Sequence, residues 1–111
     1  MEDFKKKQLL VFFHTITKYY GCITEITSGI YSRSDYFDAK NTTWNLSEFT
    51  LIRSAFRHDG KRFIIEGNKM YYEFSAIDII DFKHTKEHSY EIIEAYVGVT
   101  FRITKIKFYI K

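Results

Sequence analysis

Proline is absent from the sequence of 111 residues, and only five glycines and one cysteine occur in it. Turns must then be built from glycine, asparagine, aspartate and serine. The single cysteine, Cys22, excludes an internal disulfide, and the lack of a cysteine cluster excludes a zinc knuckle. The longest apolar run, 9–13, is much shorter than the ~18 residues that a membrane-spanning helix needs. We therefore expect neither a disulfide scaffold nor a membrane partner.

The chain is short for two independent cores, yet it is rich in core residues. Leucine, isoleucine, valine and phenylalanine account for 33 of its residues, a share well above that of disordered chains. We predict a single β-rich domain over residues 1–111. The N-terminal segment combines two acids with three lysines and lacks the apolar stretch of a signal peptide, which predicts a cytoplasmic protein.

Residues that favour strands dominate the composition. Isoleucine, threonine, phenylalanine, tyrosine, valine and tryptophan total 49 residues, whereas alanine, leucine, methionine and glutamine total 11. We predict a mainly β fold, a small antiparallel meander curled into a barrel or half-barrel, with one short helix near residues 46–57. Residue types encoded by AT-rich codons are also in excess, which favours an origin in a low-GC bacterium or its phage.

The second half of the sequence contains the clearest strand signals. The runs 61–66 and 69–74 are separated by Gly67 and Asn68, a pair typical of a tight hairpin turn. Further strands are predicted at 76–82, 90–97 and 99–110, with a polar connection over 83–89.

Alternation along the last predicted strand separates its residues onto two faces. One face carries Arg102, Thr104, Ile106, Phe108 and Ile110. The other carries Phe101, Ile103, Lys105, Lys107, Tyr109 and Lys111. The end of this strand therefore has one apolar and one basic face.

The first half of the sequence is compatible with more than one secondary structure. Residues 3–13 fit a short helix or the start of a strand, and we predict a strand over 9–20. A second strand is predicted at 22–31, followed by a polar loop over 32–43.

A capping pattern and helical spacing predict the short helix. Asn45 and Glu48 form the cap, and apolar residues follow at helical spacing up to residue 56. The alternative is a strand over 46–57 that turns at 59–60 into the next strand.

Histidine-containing motifs give weak support to enzymatic chemistry. His84, Glu87 and His88 match the His-x-x-Glu-His pattern of inverted zinc peptidases, but that chemistry requires a helix and a third ligand. We interpret this motif as a polar turn and predict no metal site, no cofactor and no catalytic residues. A metal-independent ribonuclease that uses His14 or His58 remains the third functional hypothesis.

Positive charge is concentrated near both ends of the sequence, whereas residues 66–94 are acidic. If the two ends meet in the fold, their basic residues form one patch that could follow the phosphates of a single-stranded nucleic acid. This alternative interface consists of Lys5, Lys6, Lys7, Arg102, Lys105, Lys107 and Lys111.

Aromatic residues favour a different function. The 21 phenylalanine, tyrosine and tryptophan side chains are more than one small core hides, so some should be exposed as anchors for another protein. Tyr36, Phe37 and Trp44 are the predicted protein-binding residues because they lie in or beside the long polar loop. Our first hypothesis is a non-enzymatic module that acts by protein–protein contact as an inhibitor or accessory factor. The same surface could also form a homodimer.

Overall fold

A computed structural model describes residues 3–32, 42–57, 59, 61–96 and 100–110. The helix α1 (Asp3–Thr15) continues into a 3₁₀ turn at Ile16–Tyr19. The strands are β1 (Ile23–Ser32), β2 (Thr43–Thr50), β3 (Arg53–Arg57), β4 (Arg62–Gly67), β5 (Met70–Ser75), β6 (Ile79–Lys86), β7 (Ser89–Ala95) and β8 (Thr100–Tyr109). In the ranges described, no helix is long and apolar enough to cross a membrane.

The strands form two antiparallel sheets. The larger sheet has the order β2-β1-β8-β7-β6, and the smaller sheet has the order β3-β4-β5. Within each sheet, neighbouring strands are consecutive in sequence except where β8 returns to pair with β1. The predicted mainly β, antiparallel fold is confirmed. The ladders between described residues define two separate sheets, so closure into a barrel stays a prediction.

The core lies between the two sheets and under α1. Alternate residues of the strands point inward, and the helix contributes residues one turn apart. The fully buried side chains include Tyr19, Phe63, Phe74, Phe108, Ile16, Ile26, Leu51, Ile65, Ile92 and Ile106. The helix α1 and strands of both sheets all contribute side chains to this one buried cluster.

The strand predicted over 9–20 is wrong, because this segment is helical up to Tyr19. The buried side chains explain the helix: Leu9, Phe12, Ile16 and Tyr19 recur at intervals of three and four residues. These intervals place all four on the side of the helix that faces the sheets.

The short helix predicted over 46–57 is also wrong, and the alternative strand is closer to the structure. The segment forms β2 and β3, which are separated by Leu51 and Ile52. Strand β2 pairs with β1 in the larger sheet, whereas β3 pairs with β4 in the smaller one. This change of sheet buries Leu51 and leaves Ile52 exposed.

The predicted hairpin is confirmed, but its turn lies one residue later. Gly67 pairs with Met70, and Lys69 takes the positive φ of 60° that the turn requires. Gly67 is buried for a different reason: a Cβ atom there would lie 2.6 Å from Cδ2 of Phe49. The glycine makes room for an aromatic ring from the neighbouring sheet.

The strands predicted in the last third are confirmed with shifted ends. Residues 76–78 form a 3₁₀ turn before β6, and β6 continues to Lys86 through most of the predicted polar connection. The two faces of β8 are also confirmed. Thr104, Ile106 and Phe108 are buried toward the core, whereas Lys105 and Lys107 are exposed on the opposite side.

Candidate binding face of the five-stranded sheet

The larger sheet has an outer face, directed away from the core. Cross-strand pairing aligns its residues in rows. On four of the five strands the outer face carries Trp44, Leu46 and Glu48 on β2; Glu25, Thr27, Gly29 and Tyr31 on β1; Phe101, Ile103, Lys105, Lys107 and Tyr109 on β8; and Ser89, Glu91, Ile93 and Ala95 on β7. On β6, Lys83 pairs with Glu91. The outer face is divided into an apolar and a charged half.

Trp44 is fixed against the backbone of the neighbouring strand. It pairs with Gly29, where a Cβ atom would lie 2.9 Å from the indole ring and 2.6 Å from the methyl group of Thr42. The ammonium group of Lys105 lies 5.3 Å from the ring centroid on the next strand but one. The glycine thus allows the ring to lie close to the sheet, and the lysine provides a cation–π contact.

Apolar side chains surround Trp44 on the outer face. Leu46 is two residues along the same strand and is 64% exposed. Tyr31 and Phe101 are stacked with ring centroids 5.4 Å apart and pair across β1 and β8. The apolar half therefore combines ordered aromatic rings with a leucine open to solvent.

The charged half alternates acids and bases between neighbouring strands. Lys107 pairs with Glu25, and Lys105 pairs with Glu91. The Tyr109 hydroxyl donates a hydrogen bond of 3.1 Å to Glu25. Burial and the carboxylate of Glu91 raise the pKa of Tyr31. The two carboxylates and the two lysines, Glu25, Glu91, Lys105 and Lys107, line a groove of about 430 Å³.

Strand β2 is an edge of the larger sheet. One side of β2 pairs with β1, from Ile23↔Thr50 to Ile30↔Thr43. In the described ranges no strand pairs with the other side of β2. An edge strand presents backbone donors and acceptors that can pair with an added strand. Trp44 and Leu46 lie on the same face of this edge because strand side chains alternate.

Of the predicted protein-binding residues, only Trp44 belongs to the described part of the chain. Tyr36 and Phe37 lie outside it, as do His58 of the ribonuclease hypothesis and Lys111 of the nucleic-acid interface. Leu46 is a binding candidate that sequence reasoning missed. In the sequence, Leu46 is an apolar residue two positions after a tryptophan. This spacing indicates a binding surface only once β2 is known to be an edge strand.

The predicted nucleic-acid interface is spread over different sides of the molecule. Lys5 forms an ion pair with Asp81, and Lys7 lines a groove beside α1, while Lys6 is exposed on the helix. Lys105 and Lys107 lie on the outer face beside carboxylates. Lys7 therefore lines a different groove from Lys105 and Lys107.

Arg102, the remaining member of that interface, points toward the core. Its Nε donates a hydrogen bond of 2.8 Å to Glu94, which is fully buried, and its Nη2 donates to the carbonyl oxygen of Glu73 at 2.7 Å. Burial is the largest single influence and acts to lower the pKa of Arg102, but the Glu94 carboxylate together with Tyr72 and Tyr96 raises the pKa overall. This guanidinium neutralises a buried carboxylate.

Glu94 is satisfied by three groups besides Arg102 Nε. The Ser75 amide and the Tyr96 hydroxyl donate to its Oε2 at 2.9 Å and 2.8 Å, and Arg102 Nη2 lies 2.7 Å from its Oε1. A buried carboxylate needs such partners because desolvation alone disfavours its charge. The pair was not found from the sequence, since only the fold brings β5, β7 and β8 together here.

The histidines of the zinc-peptidase pattern lie on the β6–β7 hairpin. The His84 Nε2 is 3.0 Å from the carbonyl oxygen of Glu87, and the His88 Nδ1 is 3.1 Å from the Tyr19 hydroxyl. In the described residues, no three histidine, cysteine, aspartate or glutamate side chains are grouped to hold a metal.

Comparison of the chain with protein-family models, with curated proteins and with solved structures gives no match in any of the three.

Proposed function

We propose that the chain is a non-enzymatic, cytoplasmic module that binds another protein along β2. The partner contributes an extended segment that adds to the open edge of β2 and places apolar side chains over Trp44 and Leu46. The observation that carries this proposal is the position of an ordered tryptophan and an exposed leucine on one face of an edge strand. The effect on the partner would be occlusion of the bound segment, as an inhibitor or accessory factor acts.

Strand addition accounts for the open backbone edge of β2 and for the side chains that lie on one face of it. Backbone hydrogen bonds along the edge supply affinity, and contacts at alternate side chains supply specificity. Tryptophan is the residue type most often dominant in binding energy, and Trp44 meets a partner without reordering because Gly29 and Lys105 already fix its ring.

The charges of the outer face favour a protein over a nucleic acid. Each exposed lysine at the centre of the sheet pairs with a carboxylate across the ladder, Lys105 with Glu91 and Lys107 with Glu25. Those carboxylates repel phosphates, whereas a mixed charged rim beside an apolar centre is typical of protein interfaces.

The test uses retention of a partner by variants of β2. A protein captured from lysate by the wild-type chain is purified, and its affinity is measured by calorimetry for Trp44→Ala and Leu46→Lys. We expect Trp44→Ala to weaken binding about 30-fold and Leu46→Lys to abolish it, because a lysine on an edge strand opposes strand addition. Tyr71→Ser is the matched control, since Tyr71 is equally exposed but lies on β5 of the other sheet.

Three results would overturn the proposal. The first is a partner that binds Trp44→Ala as tightly as the wild type. The second is a homodimer in sedimentation equilibrium that Leu46→Lys dissociates, because a second copy would then occupy β2. The third is nucleic acid that co-purifies and is released as the salt concentration rises.

A further inference from the structure

A second groove lies on the other side of the larger sheet, between α1 and the β6–β7 hairpin. Its volume is about 420 Å³. It is lined by Phe12 and Lys7 of α1, by Lys18 of the following turn, and by Phe82, His84 and Tyr90 of the hairpin. Phe12, Phe82 and Tyr90 belong to the buried core cluster, and Tyr90 also borders the groove of about 430 Å³ beside Lys105 and Lys107.

The floor of this groove is a rigid aromatic surface. The Phe12 ring centroid lies 4.5 Å from that of Tyr90 and 5.5 Å from that of Phe82. The imidazole of His84 stacks on Tyr90 at 4.5 Å with an interplanar angle of 19°. The Tyr90 hydroxyl is tied to the Tyr19 hydroxyl at 3.1 Å. Phe12, Phe82 and Tyr90 are only 2%, 2% and 6% exposed, so they form a rigid support beneath the groove, and its open surface includes Phe4, Val11 and His84.

The rim of the groove is positively charged. Lys7 and Lys18 project from the helical segment, and within the described part of the chain no aspartate or glutamate contributes to the lining. Lys18 Nζ lies 5.0 Å from the centroid of the Tyr19 ring, close to the aromatic floor. On β6 itself, the carboxylate of Asp81 is ion-paired with Lys5. Charge complementarity therefore favours an anion.

We propose that this groove binds a small amphipathic anion with a flat aromatic body. The body lies over Phe4, Val11 and His84, above the buried rings. Its carboxylate, sulfonate or phosphate contacts Lys7 or Lys18, which are eleven residues apart along the helical segment and border different parts of the groove. Pockets of this size and mixed character are typical of small-molecule sites. The site is independent of the protein-binding edge, so either proposal can fail without the other.

The opposite flank of α1 provides an internal comparison. A groove of about 400 Å³ lies there, lined by Leu10, Phe13 and His14 of the helix and by residues of β3 and β4. It is mainly aromatic and apolar, and none of the described lysines or arginines lines it. A ligand held by hydrophobic contacts alone would bind in this groove as readily as in the groove that carries Lys7 and Lys18.

The test compares two fluorescent probes that share an aromatic body. 1-Anilinonaphthalene-8-sulfonate carries an anionic group, and N-phenyl-1-naphthylamine carries none. We expect saturable binding of one equivalent of the sulfonate, weakened about tenfold or more by Lys7→Gln combined with Lys18→Gln and weakened by salt. The neutral probe should be unaffected by the two substitutions.

Two substitutions on the same helix locate the probe. Val11 lines the cationic groove and Leu10 lines the comparison groove, and both are more than half exposed. Val11→Glu should abolish binding of the sulfonate, whereas Leu10→Glu should leave it unchanged. Circular dichroism and thermal unfolding confirm that each variant is folded.

The proposal is overturned if the two probes bind equally, if the lysine substitutions have no effect, or if Leu10→Glu weakens binding as much as Val11→Glu.

Displacement of the bound sulfonate then distinguishes the sources of the anion. Competition by an aromatic carboxylate, by a nucleoside monophosphate or by neither is measured against the bound sulfonate. Displacement by one of the two supports the site and names its class, and displacement by neither counts against it.

Discussion

At the scale of single residues, two glycines are needed for the close approach of aromatic rings. Gly29 lies under the indole of Trp44, and Gly67 lies under the ring of Phe49. Neither glycine has the positive φ that would make it a turn residue; among the described glycines that conformation belongs to Gly21. A glycine inside a strand often marks such a contact.

Gly67→Ala should destabilise the protein by overpacking. The new Cβ would lie 2.6 Å from Phe49 Cδ2 and 3.1 Å from Phe49 Cβ, so the ring or the strand has to move. We expect a loss of about 1 to 3 kcal/mol in the free energy of unfolding, measured by urea denaturation. Adding Phe49→Leu should restore part of this loss. Additive losses in the double variant would contradict the contact.

At the scale of elements, one aromatic side chain of α1 contacts both sheets. Phe12 lies within 6.4 Å of Phe63 on β4 and closer still to the rings of Phe82 and Tyr90 on the larger sheet. Nearby, Phe13 stacks on Phe63 at 3.9 Å. The helix is therefore part of the core rather than an appendage.

Phe12→Ala should cost far more stability than the truncation of a neighbour on the same helix. Phe12 is 2% exposed and Leu10 is 54% exposed. We expect a loss of about 3 to 5 kcal/mol for Phe12→Ala, because a cavity forms between helix and sheets. Leu10→Ala should change stability by less than about 1 kcal/mol. Equal effects in denaturant titrations would show that α1 does not pack as described.

The elements that the sequence predicts well are those with local partners. Strands β4 and β5 form a hairpin, and β7 pairs with its neighbours β6 and β8, so alternation and turn residues are sufficient. The errors at 9–20 and 46–57 have a different origin. The helix is stabilised by long-range contacts with both sheets, and β2 is a strand because it pairs with β1 across a long connection.

The residues of the candidate binding face could be predicted from the sequence to about the same extent as the fold. The alternation of β8 predicts that Lys105 and Lys107 share one face, and aromatic content singles out Trp44. Of the carboxylates beside those lysines, Glu25 comes from β1, and sequence order does not show that β1 lies beside β8. Glu91 comes from β7, and alternation alone does not determine the register of β7 against β8. The undetermined register is also the reason that the sequence did not show that Arg102 meets Glu94.

At the scale of the whole molecule, buried phenols make the fold sensitive to alkali. Burial, together with a hydrogen bond to Tyr19, raises the pKa of Tyr90 to about 12. Burial and the hydrogen bond to Glu94 likewise raise the pKa of Tyr96. In the unfolded chain these groups ionise near pH ~10. The folded state therefore retains protons that the unfolded state releases, and its stability falls as pH rises above about 10.

We expect the urea midpoint to be level up to about pH 9 and to fall progressively from about pH 10 to 12. Tyr90→Phe should reduce this decline, because it removes one of the retained protons. Tyr71→Phe is the control, since the same substitution is made there on a side chain that is 64% exposed. If the Tyr90→Phe protein lost stability with pH as steeply as the wild type, this account of the alkaline limit would be wrong.

The buried pair of Arg102 and Glu94 restricts how the sequence can change over time. Replacing either residue alone leaves a charge without its counterion in the interior, which typically costs about 3 to 5 kcal/mol, whereas replacing both by apolar residues is often tolerated. The two positions are joined across β7 and β8, where they pair directly in the ladder. We therefore expect relatives of this chain either to keep both residues or to have lost both, because the two positions change together.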